Sequence, residues 1–200
     1  MLSIHPSAKI AESAVITGPV YIEPNVEIEE NVEIGPFCSI GYKPEHREHW
    51  DKEIHENKPV IIRANAKLFD HVTVQAGTVK PTIIGHQAVV MNHTHIAHDV
   101  YVGERALVGG NCSIAGHTVI GTGANISGQS CTSHKTIIGA FAFITGMSYV
   151  TKNVPPGRIY GGYPARDMGI NEVGLARSEI TYEAMLKMFE PIFLKLTEGK

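Results

Sequence analysis

Isoleucine recurs at every sixth position near the start of the chain: Ile4, Ile10, Ile16, Ile22, Ile28, Ile34 and Ile40. Four residues after each of the first six stands a small or β-branched side chain: Ala8, Ala14, Val20, Val26, Val32 and Cys38. The ladder resumes at Ile62, Leu68 and Val74. After a shift it runs through Ile84, Val90, Ile96, Val102, Val108, Ile114, Ile120, Ile126, Thr132, Ile138, Ile144 and Val150, with Thr132 its polar member. An amphipathic helix needs spacings of three and four, and a half-buried strand alternates by two over a short run. A period of six fits short strands joined by turns, three sides making a coil of eighteen residues. The aliphatic slot and the small slot then point into a narrow prism. Gly35, Gly41, Gly103, Asn111, Gly121 and Gly139 are expected at its corners, where permissive turn geometry is needed. The predicted fold is all-β, a parallel β-helix of hexapeptide repeats over residues 1–156.

Two places break the register. Residues 42–59, "YKPEHREHWDKEIHENKP", form a charged excursion holding three histidines and the single tryptophan, and a shorter insertion of four residues lies within 77–82. Long loops on a regular scaffold are where binding residues gather. After Val154-Pro155-Pro156-Gly157 the pattern ends, and residues 157–200 read as a C-terminal extension, helical from about residue 178. Thr181 can cap a helix whose Tyr182, Met185, Leu186 and Phe189 share one face. Pro191 should kink or divide it, with Ile192, Phe193 and Leu196 continuing the apolar stripe.

Composition narrows the function. Two hundred residues, 43% hydrophobic, suit one domain with a small appendage. A formal charge of -3 without a run of Lys or Arg argues against nucleic-acid or membrane-surface binding. The sequence shows no secretory signal and no apolar span, so a cytoplasmic location is expected. Cys38, Cys112 and Cys131 match neither a metal motif nor a disulfide framework and read as reduced thiols. The sequons at Asn92, Asn111 and Asn125 then carry no glycan.

The coil length serves as a ruler. Residues eighteen apart lie in adjacent coils, roughly 4.8 Å apart. In "MNHTHIAHD", His98 follows the ladder residue Ile96 by two and points out of the prism. Gly116 and then His134 continue its column, and Asp99, His117 and Lys135 form the next. His93, His95, His98, His117 and His134 therefore fall within about three coils. Imidazole titrates near neutrality and suits a general base, an adjacent carboxylate fixes its tautomer, and an open glycine N–H can stabilise an oxyanion. Those are the parts of an acyl transfer. A zinc site is the competing reading, since His93 and His98 are five apart.

The segment "MNHTHIAHDVYVGERALVGGNCSIAGHTVIG" closely resembles the central coils of the UDP-N-acetylglucosamine O-acyltransferases that start lipid A synthesis. A looser resemblance covers about Ile4 to Arg177. It implies a left-handed coil, opposite to the usual crossover rule, and a homotrimer with each site between two subunits. It implies that His98 is the general base for the sugar hydroxyl, Asp99 its orienting partner, and Gly116 the residue whose N–H faces the thioester oxyanion. His95 and His117 match acceptor-binding histidines. Arg177, in "GINEVGLARSEI", matches an arginine presented to the nucleotide sugar. No metal or other cofactor is implied, only a thioester co-substrate on acyl carrier protein or coenzyme A.

The chain also departs from that family. Gln75-Ala76-Gly77-Thr78 stands where the family has His-Arg-Gly-Thr, so Gln75 takes a substrate-binding position in altered form. The family's next histidine aligns with Ser133, leaving His134 one place off as a further substrate contact. The tail after Arg177 is much shorter, and "VPPGRIYGGYPAR" looks like the ending of coenzyme A-dependent sugar acetyltransferases. An acetyl-coenzyme A-dependent sugar O- or N-acetyltransferase is therefore the alternative. A gamma-class carbonic anhydrase-like zinc enzyme and a non-catalytic trimeric scaffold stand behind it.

Overall fold

The computed structural model describes residues 3–49, 51, 53 and 56–198. Trp50 and His55 of the excursion fall outside them. The ladder folds as read. Short strands, mostly two residues long, stack into three parallel sheets that wind around one core. Among the described residues these sheets have eight, seven and nine strands. The first sheet runs from Ser3–Ile4 to Tyr149–Val150, the second from Lys9–Ile10 to Ile137–Ile138, and the third from Val15–Ile16 onward.

Every ladder isoleucine from Ile34 to Ile144 is essentially out of water, as are Val20, Val26, Val32 and Cys38 of the small slot. Full burial of each such aliphatic side chain contributes about 1.5–3 kcal/mol. Thr132 keeps its place in the ladder because its hydroxyl is engaged, accepting from Ala115 N–H at 3.0 Å and lying 3.2 Å from Thr118 Oγ1.

Strand register measures both interruptions. In undisturbed coils partners are eighteen apart, as in Ile96↔Ile114. Across the excursion they are 34 apart (Ile40↔Val74) and across the insertion 22 apart (Val74↔Ile96). Excursion and insertion leave from the same prism edge, between the first and second sheets, in consecutive coils. The loops are pinned to each other, Lys58 and Gly77 exchanging backbone hydrogen bonds of 2.9 and 3.0 Å.

Of the expected corner residues, Gly41 and Asn111 take left-handed geometry, with φ of 88° and 57°, and Gly35, Gly103, Gly121 and Gly139 do not. The left-handed corner position is held mostly by other residues, among them Asn25, Phe37, His71, His93, Asp99 and His117, all with φ between 57° and 62°. Gly103 and Gly121 are not left-handed. They let successive coils approach, since a Cβ on Gly121 would lie 2.5 Å from Ala140 N.

Beyond the coil, an antiparallel hairpin (Arg158–Gly162 with Ala165–Ile170) extends the third sheet. Helix α1 (Glu172–Arg177) follows, so helix begins before residue 178. Helix α2 (Tyr182–Glu198) is capped by Thr181, whose hydroxyl accepts from Ala184 N–H. Met185 is buried with Phe141 and Leu175, and Tyr182, Leu186 and Phe189 pack around them. Pro191 does not divide α2. The carbonyl it leaves unbonded belongs to exposed Lys187, where water can take the missing donor's place.

Candidate active site

The edge between the first and second sheets gathers most of the expected residues. His98 is 2% exposed, although its side chain leaves the prism. Its ring extends over Gly116, where a Cβ would lie 2.6 Å from His98 Cε1 and 2.7 Å from Nε2. Only glycine leaves room for that ring. His117 packs edge-on to it at 5.0 Å between centroids, and the ring of His134, two coils along, lies tilted at 6.2 Å.

Nδ1 of His98 is 2.7 Å from Asp99 Oδ2. The rest of the Asp99 carboxylate is enclosed by the four-residue insertion. Oδ2 accepts from Thr78 Oγ1 (2.6 Å) and Thr78 N–H (3.0 Å), and Oδ1 from Val79 N–H (2.9 Å) and Lys80 N–H (2.8 Å). The Asp99 backbone N–H donates to Thr82 Oγ1 at 2.9 Å. Burial alone would raise the carboxyl pKa. The hydrogen bonds from His98, Thr78 and Lys80 outweigh it and hold the group well below the usual carboxylate range. Asp99 is thus a fixed anion that takes a proton-bearing Nδ1 from His98. Nε2 then carries the lone pair and has no hydrogen-bond partner among the described residues.

His95 stands on the outer face of the first sheet, with Nδ1 2.7 Å from Thr73 Oγ1. Its pKa is lowered, chiefly by burial and also by His98, against the opposing pull of Glu45. His117 Nε2 is 3.8 Å from Asp99 Oδ2, and burial again lowers its pKa despite that carboxylate. Gln75 is 5% exposed and its side-chain oxygen accepts from Glu45 N–H at 3.3 Å, so it braces the base of the excursion.

Comparison with known proteins adds the family. No family model matches the chain. An acyl-(acyl-carrier-protein)-UDP-N-acetylglucosamine O-acyltransferase of Chlamydia pneumoniae is 43% identical over 195 residues, covering 95% of this chain and 68% of the relative. The protein of the same name from Chlamydia caviae is 38% identical over the same shares. The chain belongs to the UDP-N-acetylglucosamine O-acyltransferase family. It is an acyltransferase, and its fold is the left-handed parallel β-helix. Among solved structures, the Francisella novicida UDP-N-acetylglucosamine acyltransferase matches with TM-score 0.73 at 28% identity, covering 94% of this chain and 76% of that one. The Bacteroides fragilis enzyme gives 0.69 at 27% identity, with 94% and 82% covered.

Within this family member the chain's own geometry separates two expected residues from His98. Arg177 ends α1 and lines a groove with Gly123, Asn125, Phe141 and Phe143 on the third-sheet side, away from the His98 edge. His93 lies at the corner between the third and first sheets, where its ring stacks on His71 at 4.6 Å. His93 and His98 therefore fall into separate clusters, and the zinc reading that joined them loses its pair. The strand His95–Ile96 lies between the two residues and carries the chain from one edge to the next.

Sequence reasoning missed Thr78, Thr73, Thr82 and His46. Thr78, Val79 and Lys80 lie inside the recognised insertion, at the corner one coil before Asp99, so position was the available signal. His46 in the excursion packs edge-on against both His98 and His49, each at 5.5 Å. No periodicity reaches that loop.

Proposed function

We propose that the chain transfers an acyl group from an acyl-carrier-protein thioester to a hydroxyl of UDP-N-acetylglucosamine, with His98 as general base. The family names support the donor and acceptor. The observation that carries the residue assignment is His98 Nδ1 fixed at 2.7 Å on a carboxylate that four loop donors already hold, leaving Nε2 open. Nε2 removes the hydroxyl proton as the sugar oxygen attacks the thioester carbonyl. Gly116 N–H stabilises the oxyanion, and the imidazolium returns the proton to the departing thiolate. His95, His117 and His134 line the acceptor's approach, and Gln75 contributes by holding the excursion that borders it.

The working unit is a homotrimer with each site between two subunits. Arg177 and His98 occupy different edges of one prism, and a neighbouring copy is what brings an arginine to the base. The reaction requires no metal or other cofactor, takes place in the cytoplasm and feeds lipid A synthesis. His98→Ala is expected to retain the fold while losing at least about 100-fold in turnover, the low end for general-base catalysis. Turnover near that of the unaltered protein would remove His98 from the reaction. Parallel assays with acyl-carrier-protein and coenzyme A thioesters decide the donor, transfer from coenzyme A alone overturning this reading.

A further inference from the structure

The third prism edge, between the third and first sheets, carries chemistry that acyl transfer does not use. Phe37, His71 and His93 hold its left-handed corner position in successive coils, with φ of 61°, 57° and 57°. Their rings form a column: Phe37 stacks on His71 at 4.9 Å, and His71 on His93 at 4.6 Å with planes 9° apart. Asp70 precedes His71 and its backbone carbonyl accepts from His93 N–H at 3.1 Å. One ligand atom from each of Asp70, His71 and His93 lies within 4.8 Å of the other two. Both histidines are exposed, and neither ring has a hydrogen-bond partner among the described residues.

Two imidazoles and one carboxylate are the donor set of zinc and its neighbours, whereas calcium and magnesium prefer oxygen alone. Two metal–nitrogen bonds of about 2.0–2.1 Å span at most about 4.2 Å, so modest rotation of exposed side chains closes the site. We propose that Asp70, His71 and His93 bind one divalent transition metal of the zinc class, tying two successive coils together at this edge. The only other such cluster among the described residues, His98 with Asp99 and His117, is a poorer host. Its carboxylate is taken up by Thr78, Val79 and Lys80, and His98 Nδ1 by that carboxylate.

The test titrates the metal-free full chain with zinc by calorimetry and with cobalt by visible absorption, and it does not depend on activity. One site per chain is expected, with a thermal midpoint raised by about 5–10 °C at a hundredfold excess over Kd. His71→Asn and His93→Asn should each weaken binding at least tenfold and abolish the thermal shift. Asparagine is the chosen replacement because the chain itself uses Asn25, Asn31, Asn65 and Asn111 at left-handed corners, with φ of 54–62°. Asp70→Asn removes the carboxylate without touching a corner and should also weaken binding. His117→Asn should leave binding intact. Absence of saturable binding below about 1 mM overturns the proposal. So does binding indifferent to His71→Asn and His93→Asn, or binding lost instead in His117→Asn.

Discussion

Replacing Asp99 by Asn keeps the side-chain shape and suits the left-handed corner, φ 60°, so it isolates the charge. Five donors converge on the carboxylate: His98 Nδ1, Thr78 Oγ1, and the N–H groups of Thr78, Val79 and Lys80. An amide offers one oxygen. Turned toward Val79 and Lys80, it leaves NH2 facing His98 and Thr78. The Thr78 hydroxyl can rotate to accept, but the Thr78 N–H then faces another donor. The reverse orientation strands two backbone N–H groups instead of one. One unsatisfied donor costs about 1–3 kcal/mol, and losing charge assistance on the two retained bonds adds roughly 1 kcal/mol each. A loss of about 2–4 kcal/mol in unfolding free energy follows, allowing for partial exposure of the loop.

The catalytic effect has a different origin. To accept from the amide, His98 must move its proton to Nε2, the nitrogen that should be taking one. Turnover should fall by about 10²–10⁴. The assay measures kcat at saturating acceptor and donor, beside denaturant unfolding and nitrogen chemical shifts of His98. A second measurement combines Asp99→Asn with His98→Ala. If the pair works as a unit, the double variant should be no slower than His98→Ala alone. A folded Asp99→Asn protein with kcat within about tenfold of the unaltered chain would refute this tautomer argument.

The same carboxylate sets an acid response. Its folded pKa is depressed, so its contribution is present above the unfolded value of about 3.9 and is lost as pH falls below it. Unfolding free energy measured from pH 6 downward should show that loss, and Asp99→Asn should show less of it. Gly116→Ala places a methyl 2.6–2.7 Å from the His98 ring and should cut kcat at least tenfold with little change in acceptor KM, as His98 is displaced. Asn171→Ala removes the α1 cap, where Oδ1 accepts from Gly174 N–H at 3.1 Å and Nδ2 donates to Phe141 O at 2.9 Å. A stability loss of about 1–2 kcal/mol by chemical denaturation is expected, together with a raised KM for the nucleotide sugar if α1 presents Arg177.

What the sequence revealed was whatever obeyed its period. Ile96↔Ile114 and Tyr101↔Val119 pair as the ruler requires, so Gly116 beneath His98 and His117 beside Asp99 could be located before any coordinates. The spacing of five misled in pairing His93 with His98, since residues in one coil can belong to different edges of a triangle. The ruler also could not show that Gln75 points back to Glu45, or that corner glycines such as Gly121 serve coil-to-coil approach rather than backbone handedness. Those facts depend on contacts between loops or coils, to which a spacing pattern is blind. That Pro191 leaves α2 undivided escaped the sequence for a related reason. Proline's cost depends on whether the freed carbonyl meets water, which exposure decides and sequence does not.

The two irregularities single out one edge of a nearly repetitive prism for the proposed acyl transfer. Asp99, His117 and Lys135 hold the corner after the first-sheet strand in three successive coils, where the backbone is almost the same, with φ of 60°, 61° and 60°. Only at Asp99 does the preceding coil carry the inserted Thr78-Val79-Lys80, whose donors stabilise a buried anion. Without those donors a carboxylate there would be pushed toward its neutral form and would lose its hold on the His98 tautomer. The excursion adds His46 against the same ring. The ladder supplies spacing and rigidity, and the insertion supplies the donors that keep Asp99 ionised beside His98, the histidine proposed as the base.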